Sequence, residues 1–275
     1  MKNRPTKKSY LCVGFLLLLA AMILIIRLLV LFYPRPAEPV DTTAGERYLS
    51  SAEAVDIADA EDAIRRTQEV SAQEEFQTED QAKQQEIEQA LADGNLDYAC
   101  REILFSGDSL VKAIEEFDVL DSSRFVAEVG AGASYLSRHL DDIVAANPKY
   151  LILHYGENAI EEEDHSAAFT ERYADCIRTL QQALPDTVIY VDSIFPVEEH
   201  AYRTEPYLVR IDRYNDTLFQ MAEELGVRYL DFTPMFQAFD QDYYDQDGIH
   251  MIQSFYSEQY LPHIVKEIYL ETDEG

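Results

Sequence analysis

A chain of 275 residues with 52 acidic and 22 basic side chains carries a formal charge of −30. A surface this acidic repels nucleic acid and anionic lipid headgroups, and no basic patch with interleaved aromatics interrupts it, so a nucleic-acid partner is excluded. Of the three cysteines, Cys12 falls in an apolar N-terminal run. Spacing alone does not show whether Cys100 and Cys176 meet.

Residues 1–9 form a basic tail with Lys2, Arg4, Lys7 and Lys8. Residues 10–33 follow as an apolar run broken only by Arg27. As a helix rising about 1.5 Å per residue, this run spans roughly 36 Å, enough to cross a bilayer with some tilt. The positive-inside rule places the N-terminus in the cytoplasm and the rest outside. The alternative is a cleaved signal peptide. The run is longer than the usual apolar region of about 7–15 residues, and Tyr33-Pro34-Arg35-Pro36 is a poor cleavage context. The expectation is an uncleaved single-pass anchor in the cell membrane with an extracellular body. Arg27 reads as a residue that snorkels to the interface. Cys12 sits at the start of the apolar run, not after it, and does not read as a lipid-attachment site.

Residues 34–94 read as an acidic stalk or linker. Pro34, Pro36 and Pro39 make a stiff exit. Ser50 with Glu53 fits a capping box, and Gly94 fits a helix stop. Val55, Ile57, Ile64, Val70, Phe76, Ile87 and Leu91 hold no heptad, which excludes a coiled coil. A partly helical, solvated stalk and a disordered segment both fit this composition.

From residue 95 to 275 short apolar runs alternate with amphipathic segments. The pattern predicts strands at 101–105, 125–129, 150–154, 187–191 and 227–230. It predicts helices at 110–117, 135–144, 167–184, 208–225 and 252–270. Such alternation specifies an α/β domain with a five-stranded parallel sheet covered on both faces. Ligands of such sheets bind beyond the carboxyl ends of the strands. Gly107-Asp108-Ser109 follows the first strand, Gly130-Ala131-Gly132 the second and Gly156-Glu157-Asn158 the third. Asp247-Gly248-Ile249-His250 comes after the fifth strand and a loop.

Together these junctions supply the parts for acyl transfer. A serine hydroxyl needs a base to take its proton, and a histidine held in one tautomer by a carboxylate provides it. Ser109, His250 and Asp247 fit those roles. The oxyanion needs preformed donors, for which the Ser109 and Gly132 N–H groups and the Asn158 amide are candidates. Gly130 competes with Gly132. Ser109 could instead be only a helix N-cap, and Asp108 reads as a residue that caps or braces the turn and does not act in the chemistry. His154 reads as a packing residue beside the pocket or a substrate contact. Glu161-Glu162-Glu163-Asp164 reads as an acidic helix start or a pocket rim. The segment 198–205 reads as a pocket wall or a surface loop. His139, His165, His200 and His263 show no partner pattern. The acids, histidines and cysteines lack metal-site spacing, and the chemistry needs no cofactor.

Gly107-Asp108-Ser109-Leu110, Gly132, Gly156-x-Asn158 and Asp247-x-x-His250, in this order, resemble the four blocks of the SGNH (GDSL-type) hydrolases. Ser193 to Val197 and Tyr214-Asn215 resemble the membrane-anchored bacterial type. Ala159 departs from the Asp that often ends the third block. The resemblance implies a flavodoxin-like three-layer α/β/α fold, a Ser109–His250–Asp247 triad and a Ser109, Gly132, Asn158 oxyanion hole. It further implies an extracytoplasmic serine esterase acting on an acyl ester of a glycan or a lipid, with glycan O-acyl groups preferred for a tethered enzyme. An O-acyltransferase would use the same residues, and a non-catalytic module binding acylated glycan is the rival. The sequence leaves the oligomeric state open.

Overall fold

The computed structural model describes residues 7–32, 43–53 and 57–270, with side-chain surroundings for 17–32, 43–50, 61–62, 64–68 and 81–270. The chain divides into two compact units, Met1–Gln73 and Glu74–Gly275.

The first unit is helical, with α1 Lys7–Phe32, α2 Thr43–Glu53 and the start of α3 Ile57–Ala92. Lys2, Arg4, the proline exit at 34–39 and Val55 lie outside the described residues. The expected anchor is left as an expectation: among the described residues no helix is long and apolar enough to cross a membrane. The side chains of α1 are described from Leu17 to Phe32. The capping-box expectation fails, because α2 is already running at Ser50. Where the sequence left helix and disorder open for the stalk, its described backbone is helical.

The second unit opens with the last turns of α3 and the short α4 Leu96–Ala99. Five strands follow: β1 Ile103–Gly107, β2 Phe125–Ala127, β3 Tyr150–His154, β4 Val188–Asp192 and β5 Arg228–Leu230. All pair in parallel, in the order β2-β1-β3-β4-β5. The helices between and after them are α5 Ser109–Glu116, α6 Ala133–Arg138, α7 Leu140–Ala146, α8 Ser166–Ala183, α9 Ile211–Leu225, α10 Thr233–Gln237, α11 Gln253–Phe255 and α12 Leu261–Tyr269. The domain is a flavodoxin-like α/β/α sandwich, and its strand order switches between β1 and β3.

Two cores flank the sheet. Leu104, Leu151, Leu153, Ile189 and Val191 face the layer of α6 to α9. Ile103, Phe105, Ile152 and Tyr190 face α5 and α12, joined by Ile87 and Ala90 from the end of α3. This alternation is the pleat at work on a sheet buried on both sides. Each fully buried side chain, such as Ile152 or Leu180, contributes about 1.5–3 kcal/mol by leaving water.

Several elements differ from expectation. The helix predicted at 135–144 is two, because the chain turns at His139 between α6 and α7. The final helix begins as α11 and passes through a π-helical turn, Tyr256–Tyr260, before α12. The helix α10 was read as a loop, since five residues with a proline carry little periodicity. Cys100 and Cys176 are free and buried, in the cores on opposite sides of the sheet. That placement forbids the Cα separation below about 7 Å that a disulfide needs.

Candidate active site

The serine is placed by a strand end that admits no side chain. A Cβ on Gly107 would run into Val111 and lie 2.8 Å from the His154 carbonyl oxygen. That close approach lets α5 start directly above β1. The helix cap falls to Asp108, whose Oδ1 accepts from the Leu110 N–H at 3.1 Å. Ser109 is therefore not the cap. Its Oγ lies 3.1 Å from His250 Nε2, and His250 Nδ1 lies 2.7 Å from Asp247 Oδ2. Asp247 Oδ1 meanwhile accepts from the Ile249 and His250 N–H groups, both at 2.9 Å. One carboxylate thus shapes the turn with one oxygen and orients the imidazole with the other. An Nδ1–H donated to Asp247 leaves the Nε2 lone pair for the serine proton. Partial burial raises the Asp247 carboxyl, but the hydrogen bonds from His250 and the two backbone N–H groups outweigh it and hold the group below the usual carboxylate range.

The oxyanion candidates are only partly assembled. Gly132 is the N-cap of α6, and a Cβ on it would meet nothing within 4 Å. Its backbone is extended, so Gly130, at φ +75°, is the residue whose conformation demands glycine. Asn158 does not present a free amide. Its Nδ2 donates to Asp108 Oδ2 and to the Ala131 carbonyl, each at 3.2 Å. The amide therefore bridges the serine turn and the residue before Gly132. Its loop is tied down by Tyr214, which donates to the Ala159 carbonyl at 2.7 Å. Asn215 accepts from the Ile194 N–H at 2.8 Å and donates to the Ile194 carbonyl at 2.9 Å, fixing the exit of β4.

Beneath the serine lies a second acid–base group. His154 is buried at the end of β3, in register with Gly107. Its Nδ1 is 3.4 Å from Asp192 Oδ2, which accepts from Tyr260 at 2.7 Å. Burial pulls the His154 imidazole down, but the Asp192 hydrogen bond and the charges of Asp108 and Asp192 lift it above its ordinary value. Burial raises both Asp108 and Asp192. Glu157 is pushed up to about 7 by burial and by the charge of Asp108, against the pull of His154 and His250. Its Oε2 is buried without a partner among the described residues.

Of the residues singled out from sequence, Ser109, Asp247 and His250 come together, and Gly132 and Asn158 flank them. The acidic run at 161–164 stands ahead of α8, where Asp164 accepts from the Ser166 N–H at 3.0 Å. Arg210 braces it by donating to the Glu161 and Glu162 carbonyls. The histidines without an expected role each have a carboxylate nearby: Asp142 for His139, Glu161 for His165, Glu198 for His200 and Glu267 for His263. Asp192 and Glu157 were missed. The signal for Asp192 is its place at the carboxyl end of the fourth strand. Among the described residues no group of three or more His, Cys, Asp or Glu side chains is placed to hold a metal ion.

Residues 115–256, just over half of the chain, match the GDSL-like Lipase/Acylhydrolase family. No curated protein is a significant match. Similar solved structures include a lipase/acylhydrolase from Enterococcus faecalis, 14% identical with a TM-score of 0.49, covering 61% of this chain and 94% of its own. A GDSL-like lipase from Bacteroides thetaiotaomicron is 14% identical with a TM-score of 0.47, covering 60% and 87%. An acetyl xylan esterase is 14% identical with a TM-score of 0.46, covering 60% and 98%. At these identities and scores the likenesses bear no weight on activity.

Proposed function

The chain belongs to the GDSL-like lipase/acylhydrolase family and is an acyl-ester hydrolase; from that premise we propose a serine mechanism run by Ser109, His250 and Asp247. Ser109 Oγ attacks the ester carbonyl while His250 Nε2 takes its proton. Asp247 holds the imidazole in the tautomer that can accept it and stabilises the imidazolium that forms. His250 then returns the proton to the departing alcohol. Water, deprotonated by the same nitrogen, opens the acyl-serine.

The Ser109 and Gly132 N–H groups and the Asn158 amide take the oxyanion in this reading. Asn158 would exchange one of its two long hydrogen bonds for the developing charge, and such bonds tighten in the reacting complex. The observation that carries the proposal is the unbroken chain from Ser109 Oγ through His250 to Asp247, at 3.1 and 2.7 Å.

The proposed substrate is a short O-acyl ester on a glycan. The side chains of His250 and Asp247 are 41% and 46% exposed, which supports access by an ester on a bulky alcohol. Placement outside the cell, tethered through the apolar N-terminal run, belongs to the same proposal, and sedimentation of the full chain with membranes tests it.

The mechanism is tested with a fluorophosphonate probe on the full-length protein in detergent. The expected result is one adduct, absent from Ser109→Ala, and turnover of p-nitrophenyl acetate that this variant loses. No adduct and no turnover in the unaltered protein would favour a module that only binds acylated glycan.

A further inference from the structure

We propose that His200 is a positioning residue for the hydrolysis, pinning the loop that carries Asp247 and His250. The inference rests on the serine mechanism above. Asp247 and His250 sit on an exposed loop and not on a strand end. That loop is closed on itself by the Tyr244–Met251 bridge and by the Asp245 N–H donating to the His250 carbonyl at 2.7 Å. Nothing in those contacts fixes where the closed loop stands relative to Ser109. Ile249 packs into one core and Tyr243 and Met251 into the other, and the polar contacts that set the loop's position come from the segment after β4. Glu198 N–H donates to the Gly248 carbonyl at 2.8 Å, His200 Nε2 lies 3.1 Å from the Gln246 carbonyl oxygen, and Tyr244 Oη donates to the Pro196 carbonyl at 2.8 Å.

Gln246 and Gly248 are the two neighbours of Asp247, so the carboxylate is gripped from both sides. A carbonyl only accepts, so His200 must carry a proton on Nε2 to make its bond. Its other nitrogen, Nδ1, lies 3.3 Å from Glu198 Oε2, an ion pair that forms only when the ring carries both protons. The fit is close on the glycine side as well. A Cβ on Gly248 would lie 2.7 Å from His200 Cε1 and 3.0 Å from Nε2, and the glycine has φ +72°. The ring therefore lies directly on the backbone it holds. His200 itself is partly exposed, so removing its ring opens no large cavity. What is lost is the aim of Asp247 and His250 at Ser109, and misplacement of about 1 Å in such a constellation costs up to roughly 10²-fold in rate.

The test uses full-length protein in detergent with p-nitrophenyl acetate as probe. His200→Ala is expected to lower kcat by about five- to ten-fold, the worth of one hydrogen bond. KM should change less than about two-fold, since nothing that binds the ester is removed. His200→Gln, whose amide nitrogen can donate to the same carbonyl, should recover kcat to within about three-fold of the unaltered enzyme. An unchanged kcat in His200→Ala, a loss confined to KM, or a His200→Gln variant as slow as His200→Ala would each overturn the proposal while the serine mechanism stands. Full turnover by Ser109→Ala would overturn the mechanism, and the positioning role with it.

Discussion

The domain holds two histidine–aspartate pairs at the carboxyl end of one sheet, and they differ in almost everything but composition. His250 and Asp247 are 2.7 Å apart on an exposed loop, with side chains 41% and 46% exposed. His154 and Asp192 are 3.4 Å apart at the ends of β3 and β4, with side chains 2% and 0% exposed. The outer pair ends on a serine hydroxyl, the inner pair on the Tyr260 hydroxyl. A proton moved by the outer pair can pass to a substrate or to water. One moved by the inner pair has nowhere to go. In the proposed mechanism chemistry belongs to the pair whose free nitrogen faces an open nucleophile, and support belongs to the pair whose neighbours are all packed.

Substituting the aspartate of each pair by asparagine puts this contrast to its hardest test. Asp247→Asn keeps the shape of the turn but lets an amide donate to His250 Nδ1, which leaves the proton on Nε2 and disables it as a base. The expected loss in kcat on p-nitrophenyl acetate is roughly 10³–10⁴-fold, with a thermal midpoint close to that of the unaltered protein. A loss of less than ten-fold would remove Asp247 from the triad. Asp192→Asn should do the reverse. Stripping a buried histidine of its carboxylate costs roughly 3–5 kcal/mol of stability. Denaturant unfolding should show that loss, while kcat per folded molecule stays within a few-fold. Normal stability with a collapsed kcat would place the inner pair in the chemistry.

Much of this arrangement was legible in the chain. Five apolar runs separated by amphipathic segments became five parallel strands, because a sheet buried on both faces needs continuous apolar strands and helices to cover them. The small and polar residues after the first, second and third strands lie at the site because parallel strands all end on one edge. Boundaries and breaks were less visible. The turn at His139 has no glycine or proline to announce it, and the π-helical turn at Tyr256–Tyr260 has no sequence signature. The partition of labour between Asp108 and Ser109 was readable in part: the acid suits a cap or turn brace, and the geometry shows Asp108 taking the cap. The His200 contact joins residues 46 apart and depends on how two loops fold against each other, which no local pattern encodes.

Glu157 stands between the two pairs and probes both. It feels His154 and Asp108 on the buried side and His250 and Asp247 on the exposed side, and burial with the charge of Asp108 pushes it up to about 7. In the unfolded chain a glutamate titrates near 4.3. A carboxyl raised on folding favours the native state below its unfolded value, where both states are protonated. That contribution is lost as pH rises through the folded value, because the unfolded chain ionises first. Wild-type protein should therefore lose stability between about pH 4.3 and 7 on account of this group. Glu157→Gln stays neutral at every pH and keeps the amide-sized side chain. The variant's thermal midpoint should match the wild type near pH 4 and exceed it progressively toward pH 7, with about 2–4 °C for each kcal/mol in a domain of this size. Asp108 and Asp192 are also raised by burial and are present in both proteins, and because Asp108 and His154 couple to Glu157 the difference reports Glu157 together with those interactions. Two midpoint curves that run parallel from pH 4 to pH 8 would mean that Glu157 ionises freely in the fold. The two pairs would then be separated by a solvated carboxylate and not by a neutral one.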